Sequence, residues 1–248
     1  MSKKKTIINI IFVILLVLIA YFSYEIVRTL SDNKKTDKEI AKIKEEVIIK
    51  EEETEKPEET EETPTESEER LPLDFNKLKS INSDTVAWIR VANTNIDYPV
   101  VKTSNNTYYL NHSFYKANNI NGWIFENSEN SSNFDDANTV IFGHNTNGYT
   151  MLSELKDIYN GVLGNNINIT IYLEDVIINY KVFSIYLEKP ENTGNISKYL
   201  NQDIIDYMKD KSKLKIDVDV KEGDQILTLS TCNNVTEDRL ILHAKKYS

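Results

Sequence analysis

The chain has 248 residues, 40% of them hydrophobic, and carries a formal net charge of -10 from 39 acidic and 29 basic side chains. That length suits one sizeable globular core with appendages, and the only tight basic cluster is Lys3-Lys4-Lys5, so composition gives no support to nucleic-acid binding. The single cysteine, Cys232, excludes an intrachain disulfide and any zinc site built on paired cysteines.

Ile7 to Tyr24 is a nearly continuous apolar run, interrupted by Asn9 and Ser23. As a helix it would reach roughly 27 Å, close to the ~30 Å of a bilayer's hydrocarbon core. Lys3, Lys4 and Lys5 precede it, so the positive-inside tendency puts residues 1–6 in the cytoplasm and the rest of the chain outside. After the run the sequence reads Tyr24-Glu25-Ile26-Val27-Arg28, without a small-x-small pair, which favours an uncleaved anchor at 7–24 over a cleaved signal peptide. The expected location is the cell membrane, crossed once, with the globular part extracellular.

Residues 25–70 read as a charged linker rich in Glu and Lys. Lys34 to Arg70 holds 15 acidic and 8 basic residues, so about seven of the ten net negative charges lie there. Asp37 to Glu53 suits a charged helix; beyond it, Pro57, Pro64 and the uncompensated glutamates favour an extended chain. The stretch reads as a self-repelling spacer between anchor and globular domain.

The globular region, 71–248, opens with Phe75, Leu78 and Ile81 on one face of a short helix. Strands are predicted at Val86–Val91, Tyr98–Val101, Trp123–Phe125 and Thr139–Phe142. Two strictly alternating runs follow, Ile167 to Leu173 and Val176 to Val182, joined by a tight turn at Glu174-Asp175. Gln225–Thr231 and Arg239–Lys245 read as the last two strands. Helical patches are predicted at Thr150–Ile158 and Ile196–Met208. Many short strands, few helices and no strand-helix-strand alternation point to a mostly β fold, a closed or nearly closed barrel.

Three residues in this frame can carry chemistry. His144 follows the apolar run Val140-Ile141-Phe142 within Gly143-His144-Asn145, where a strand gives way to a polar loop. Cys232 stands at the end of Ile226 to Thr231, and Arg239 opens the next strand after a six-residue polar loop. If those strands pair as a hairpin, Cys232 and Arg239 share one edge of the sheet. A thiol attacking an amide needs a partner for its proton, stabilisation of the oxyanion and a proton donor for the leaving amine, and Cys, His and Arg supply all three. The ordinary alternatives are a packing cysteine, a surface histidine and an arginine paired with Glu237 or Asp238. Of the other two histidines, His112 is expected to be exposed and His243 structural. Glu126, Asp135 and Asp136 read as loop residues rather than a calcium cage, so neither metal nor other cofactor is expected.

Thr228-Leu229-Ser230-Thr231-Cys232 followed by Arg239 and Leu240-Ile241-Leu242-His243 resembles the signature of sortases. Asn95 to Val101, Asn106-Thr107-Tyr108-Tyr109-Leu110, Gly122-Trp123-Ile124-Phe125 and Gly143-His144-Asn145 with Met151 and Leu155 resemble class B in order and spacing, over about Phe75 to Lys246. The short loop before Arg239 and the ending Ala244-Lys245-Lys246 depart from that class. The resemblance implies a closed eight-stranded β-barrel with an N-terminal helix and a helix in a late connection, over one wall of the substrate groove.

It also implies a membrane-anchored cysteine transpeptidase that cleaves a C-terminal sorting signal of secreted proteins after Thr, through a thioester. The protein is then transferred to an amine of the peptidoglycan precursor. Cys232 would be the nucleophile, His144 the general acid/base and Arg239 the oxyanion stabiliser, with Asn106, Leu110, Ser230 and Thr231 binding substrate. Two alternatives stay open: a pilus-assembling sortase using a pilin Lys, and a catalytically silent cell-surface binding module. An L,D-transpeptidase would carry its histidine just upstream of a Ser-x-Gly-Cys turn, and neither element is present.

Overall fold

The computed structural model describes residues 3–49, 71–146, 150–190, 200–232 and 238–247. The first element is one unbroken helix, α1 (Lys3–Val47). Its apolar stretch is fully exposed and long enough to cross a membrane. Farther along, Ile43 and Val47 are buried and Ile40 packs beside them, a 3–4 spacing that puts all three on one helix face. The front of the stretch read as a spacer is therefore helical and docked on the globular domain.

Immediately after α1 the chain is pinned. Ile48 bridges Leu73, the Ile49 N–H donates to the Pro72 carbonyl at 2.8 Å, and the Asp74 N–H donates to the Val47 carbonyl at 2.9 Å. The two ends of the Glu-rich stretch thus meet at one point of the domain. The distance between the apolar run and the barrel is set by α1.

Asp74 then caps α2 (Phe75–Ile81), its side chain accepting the Lys77 N–H at 2.8 Å. The strands are β1 (Thr85–Val91), β2 (Asp97–Val101), β3 (Phe125–Glu126), β4 (Asn138–Gly143), β5 (Asn168–Tyr172), β6 (Ile177–Glu188), β7 (Ile226–Cys232) and β8 (Arg239–Lys246). They close into a barrel in the order β1-β2-β3-β4-β7-β8-β6-β5. The β2–β3 and β4–β7 pairs are parallel, and the other pairs described are antiparallel. Trp88, Ile89, Trp123, Ile124, Leu227 and Leu229 belong to the main core, which also takes in Ile43 and Val47 of α1.

Two short helices accompany the strands. α3 (Leu155–Tyr159) begins later than the apolar pattern predicts, because Met151 sits at φ 57° and a left-handed residue cannot be helical. α4 (Gln202–Lys211) lies between β6 and β7, its start fixed by Asn201, whose side chain accepts the Ile204 N–H at 3.0 Å. The expected onset at Ile196 falls outside the described residues, and Leu200 and Asn201 are not helical. The buried face of α4, Ile205 and Met208, packs with Phe183, Tyr186, Ile226 and Ile241 in a second core. Burying each of the two contributes about 1.5–3 kcal/mol. None of the described residues of α4 lines the cavity described below.

Candidate active site

β4 and β7 run side by side in parallel, and their register ends at Gly143 opposite Thr231. One step beyond that pair stand His144 on one strand and Cys232 on the other. β7 also pairs antiparallel with β8, where Cys232 is the partner of Arg239. The hairpin expected from the sequence therefore forms, and the end of β4 joins the end of β7 and the start of β8 at one rim of the barrel.

At this rim is a cavity of about 230 Å³, lined by Asn106, Leu110, Phe125, Phe142, Gly143, His144, Ser230, Thr231 and Arg239. His144, Arg239 and all four residues read as substrate-binding lie on it. Ser230 and Thr231 are buried in its floor, whereas Leu110 is 39% exposed at its mouth. The Phe125 and Phe142 rings, centroids 5.4 Å apart, add an apolar wall that the sequence reading did not single out. Phe142 was visible as an apolar strand residue; its facing outward to a groove depends on the barrel's register. A concave site with apolar walls and a few convergent polar groups is the usual form of a ligand site.

The Asn106 amide is committed on both sides. Its Nδ2 donates to Asn127 Oδ1 at 2.8 Å, and its Oδ1 accepts the Ser128 N–H at 2.8 Å. These bonds orient Asn106 at the cavity edge.

His144 is held by its backbone and by its ring. The Leu152 N–H donates to the His144 carbonyl at 3.1 Å. His144 Nε2 lies 2.7 Å from the Leu110 carbonyl oxygen. A carbonyl only accepts, so Nε2 carries the hydrogen and Nδ1 is the nitrogen left to exchange a proton. Two glycines make this approach possible. A Cβ on Gly143 would lie 2.7 Å from Leu152 Cγ. Gly122, at φ +56°, would place a Cβ 2.4 Å from the Tyr109 oxygen, 2.8 Å from the Leu110 oxygen and 2.9 Å from His144 Cδ2. The sequence shows Gly122 only as part of a motif, because its φ and its neighbours are tertiary facts.

The remaining histidines lie away from the cavity. His112 is half-buried rather than exposed: its ring stacks on Tyr108 at 4.0 Å and its Nδ1–H donates to the Tyr108 carbonyl at 2.7 Å. His243 is fully buried, with Nδ1 2.9 Å from Thr228 Oγ1 and Nε2 3.1 Å from the Tyr186 hydroxyl. The Thr228 hydroxyl donates to Asn138 Oδ1 at 2.8 Å, so Nδ1–H donates to Thr228 and Nε2 accepts from Tyr186. The ring is neutral, and burial pushes its pKa down to about 3.

Glu126 lies in β3, not in a loop, and is completely buried. Burial raises its pKa to about 7 against the pull of Lys102, whose Nζ is 3.5 Å from Oε1. Among the described residues, no group of three or more His, Cys, Asp or Glu is placed to hold a metal ion.

The chain's similarities agree with this geometry. The family model described as "Sortase domain" matches residues 89–247. Sortase B of Staphylococcus aureus (strain NCTC 8325 / PS 47) is 27% identical over 259 aligned positions, covering 98% of each chain. Among solved structures, Clostridium perfringens sortase B is 34% identical with a TM-score of 0.66, covering 71% of this chain and 100% of that one. A Staphylococcus aureus sortase B-substrate complex is 25% identical with a TM-score of 0.63, covering 91% and 97%.

Proposed function

The chain belongs to the sortase family as a class B-like cysteine transpeptidase, and we propose that it cleaves a C-terminal sorting signal after Thr and transfers the protein to a cell-wall amine. The observation that carries this reading is the convergence of His144 and Arg239 on one cavity at the end of β7, whose last residue is Cys232.

In this mechanism the Cys232 thiol gives its proton to His144 Nδ1 as the sulfur attacks the scissile carbonyl. Arg239 donates hydrogen bonds to the oxyanion, a planar cation being suited to a developing negative oxygen. Collapse of the tetrahedral intermediate breaks the C–N bond, and the leaving amine takes a proton from His144 Nδ1. The acyl part stays on sulfur as a thioester. An incoming amine, of a peptidoglycan precursor, then attacks the thioester and gives up a proton to His144. A new amide forms as the C–S bond breaks, and the sulfur takes that proton back from His144 to restore the thiol. Asn106, Leu110, Ser230 and Thr231 hold the signal peptide along the cavity.

The proposed arrangement in the cell follows the sequence. Residues 1–6 stay in the cytoplasm, 7–24 span the membrane once, 25–70 connect, and the catalytic domain, 71–248, works outside. The exposed apolar face of α1 and the lysines ahead of it support this topology. Secreted proteins with a C-terminal sorting signal are the proposed substrates.

The deciding experiment mixes the enzyme with a library of sorting-signal peptides, without acceptor amine, and maps adducts by mass spectrometry. The expected product is a thioester on the peptide containing Cys232. Cleavage with no adduct on that cysteine would overturn the mechanism.

A further inference from the structure

Thr36 of α1 is completely buried, and its hydroxyl is saturated. It donates to the Asp32 carbonyl at 2.9 Å and accepts from Asn119 Nδ2 at 2.9 Å and Asn121 Nδ2 at 3.0 Å. A hydroxyl has one donor and two acceptor positions, and all are used. Asn121 Nδ2 also reaches Asn33 Oδ1 at 3.0 Å. Both asparagines are 4% exposed. The next residue is Gly122, where a Cβ would lie 2.8 Å from the Leu110 oxygen and 2.9 Å from His144 Cδ2, and the Gly122 N–H donates to the Asn119 carbonyl at 3.1 Å. On the far side, the Trp123 N–H donates to the Tyr109 carbonyl at 2.9 Å. Hydrogen bonds therefore run from α1 to Gly122, a residue with no room for a side chain beside the Leu110 carbonyl and the imidazole.

We propose that Thr36, Asn119 and Asn121 are positioning residues for His144: by clamping the 119–122 loop, α1 seats the Leu110 carbonyl that fixes the ring as its Nε2–H tautomer. The inference rests on reading His144 as the acid/base. Asn119 and Asn121 fix the loop's backbone as well, the Asn119 carboxamide oxygen accepting the Asn121 N–H at 2.9 Å. Without the Thr36 hydroxyl, two buried amides lose an acceptor and the loop loses the contact that sets its height under Leu110. The anchoring helix is then part of the catalytic framework as well as a tether.

The test uses the full chain in detergent, with Thr36→Val and Thr36→Ser, reading kcat, KM and the 15N resonances of the His144 ring. Thr36→Val is expected to lower kcat about ten- to hundredfold with little change in KM, the scale of a displaced catalytic group, and to change the single-tautomer signature to a mixture. Thr36→Ser, which keeps the hydroxyl, is expected to restore both. If Thr36→Val does not fold, Asn33→Ala at the rim of the cluster takes its place, with a smaller loss of the same kind. An unchanged kcat and an unchanged ring spectrum in whichever variant folds overturns the proposal. Full turnover by His144→Gln would instead remove the reading beneath it, leaving the ring-spectrum result to stand as a structural coupling only.

Discussion

Arg239 is the cross-strand partner of Cys232 on β7 and the partner of Glu188 on β6, so it stands in the middle of a three-strand row at the barrel rim. Glu188 is buried, accepts a hydrogen bond from the Tyr207 hydroxyl and lies 3.5 Å from Lys211 Nζ, both on α4. The row fixes the backbone of Arg239 from both sides.

Replacing Arg239 by Lys keeps the charge and loses the planar fork of donors. The expected result is a fall in kcat/KM of about 10²–10³-fold, the range for losing an oxyanion donor. Cys232→Ala is expected to abolish cleavage and thioester formation together. Peptide-cleavage assays check both, and wild-type rates in either variant would take that residue out of the mechanism.

Gly122→Ala combines a strained backbone with a collision. At φ +56° a side chain costs about 1–3 kcal/mol, and the new Cβ would press on the Tyr109 and Leu110 carbonyls and the His144 ring. Denaturant unfolding should show that loss. Peptide cleavage is expected to fall further than the loss of folded protein explains.

Two buried groups give the fold opposite responses to pH. His243 stays neutral when the unfolded chain's histidine is protonated, so its contribution is present above the ordinary value of 6.5 and is lost as pH falls towards about 3. Glu126 keeps its proton when the unfolded chain's carboxyl has ionised, so its contribution is present below 4.5 and is lost as pH rises towards about 7. Each limb approaches about 1.4 kcal/mol per pH unit. Unfolding free energies measured from pH 4 to 8 should gain on the wild type with rising pH in Glu126→Gln and with falling pH in His243→Gln. Parallel curves for variant and wild type would contradict the assignments.

Asp97 joins α1 to the barrel. Its Oδ1 accepts the Trp88 Nε1–H at 2.7 Å and the Arg90 Nε–H at 3.2 Å, while Oδ2 lies 2.9 Å from Lys44 Nζ on α1. Burial pushes its pKa up, but the hydrogen bonds from Lys44, Trp88 and Arg90 outweigh that and leave it lowered. Asp97→Ala is expected to cost about 1–3 kcal/mol, because the buried indole N–H of Trp88 loses its acceptor. Asp97→Asn keeps an acceptor oxygen and is expected to cost less. Equal losses in chemical denaturation would show that the charge, not the Trp88 bond, matters.

The strands were legible where one face is wet. Ile167 to Leu173 and Val176 to Val182 alternate, and β5 and β6 form there, turning at Glu174-Asp175 with the Leu173 N–H donating to the Val176 carbonyl at 2.8 Å. Beyond Val182 the signal fades although β6 runs on to Glu188, because the register shifts between Val182 and Ser184 and α4 covers the outer face. Consecutive buried residues then replace alternation. The docking of α1 was hidden for another reason: Ile40, Ile43 and Val47 have helical spacing, but Lys and Glu crowd around them and the contact at Thr36 is polar. At the site, the strand ends carrying His144, Cys232 and Arg239 were legible from apolar runs giving way to polar loops. Gly122 was not, since its role lies in neighbours supplied by Tyr109, Leu110 and His144.

The bond between Ile49 and Pro72 makes the length of the Glu-rich stretch irrelevant to where the barrel stands. On the proposed topology, altitude and heading over the bilayer belong instead to the nine residues from Glu25 to Asn33, about 13 Å of helix at 1.5 Å per residue. Four extra residues there would lift the barrel about 6 Å and swivel it about 40°, aiming the same pocket at a different part of its surroundings.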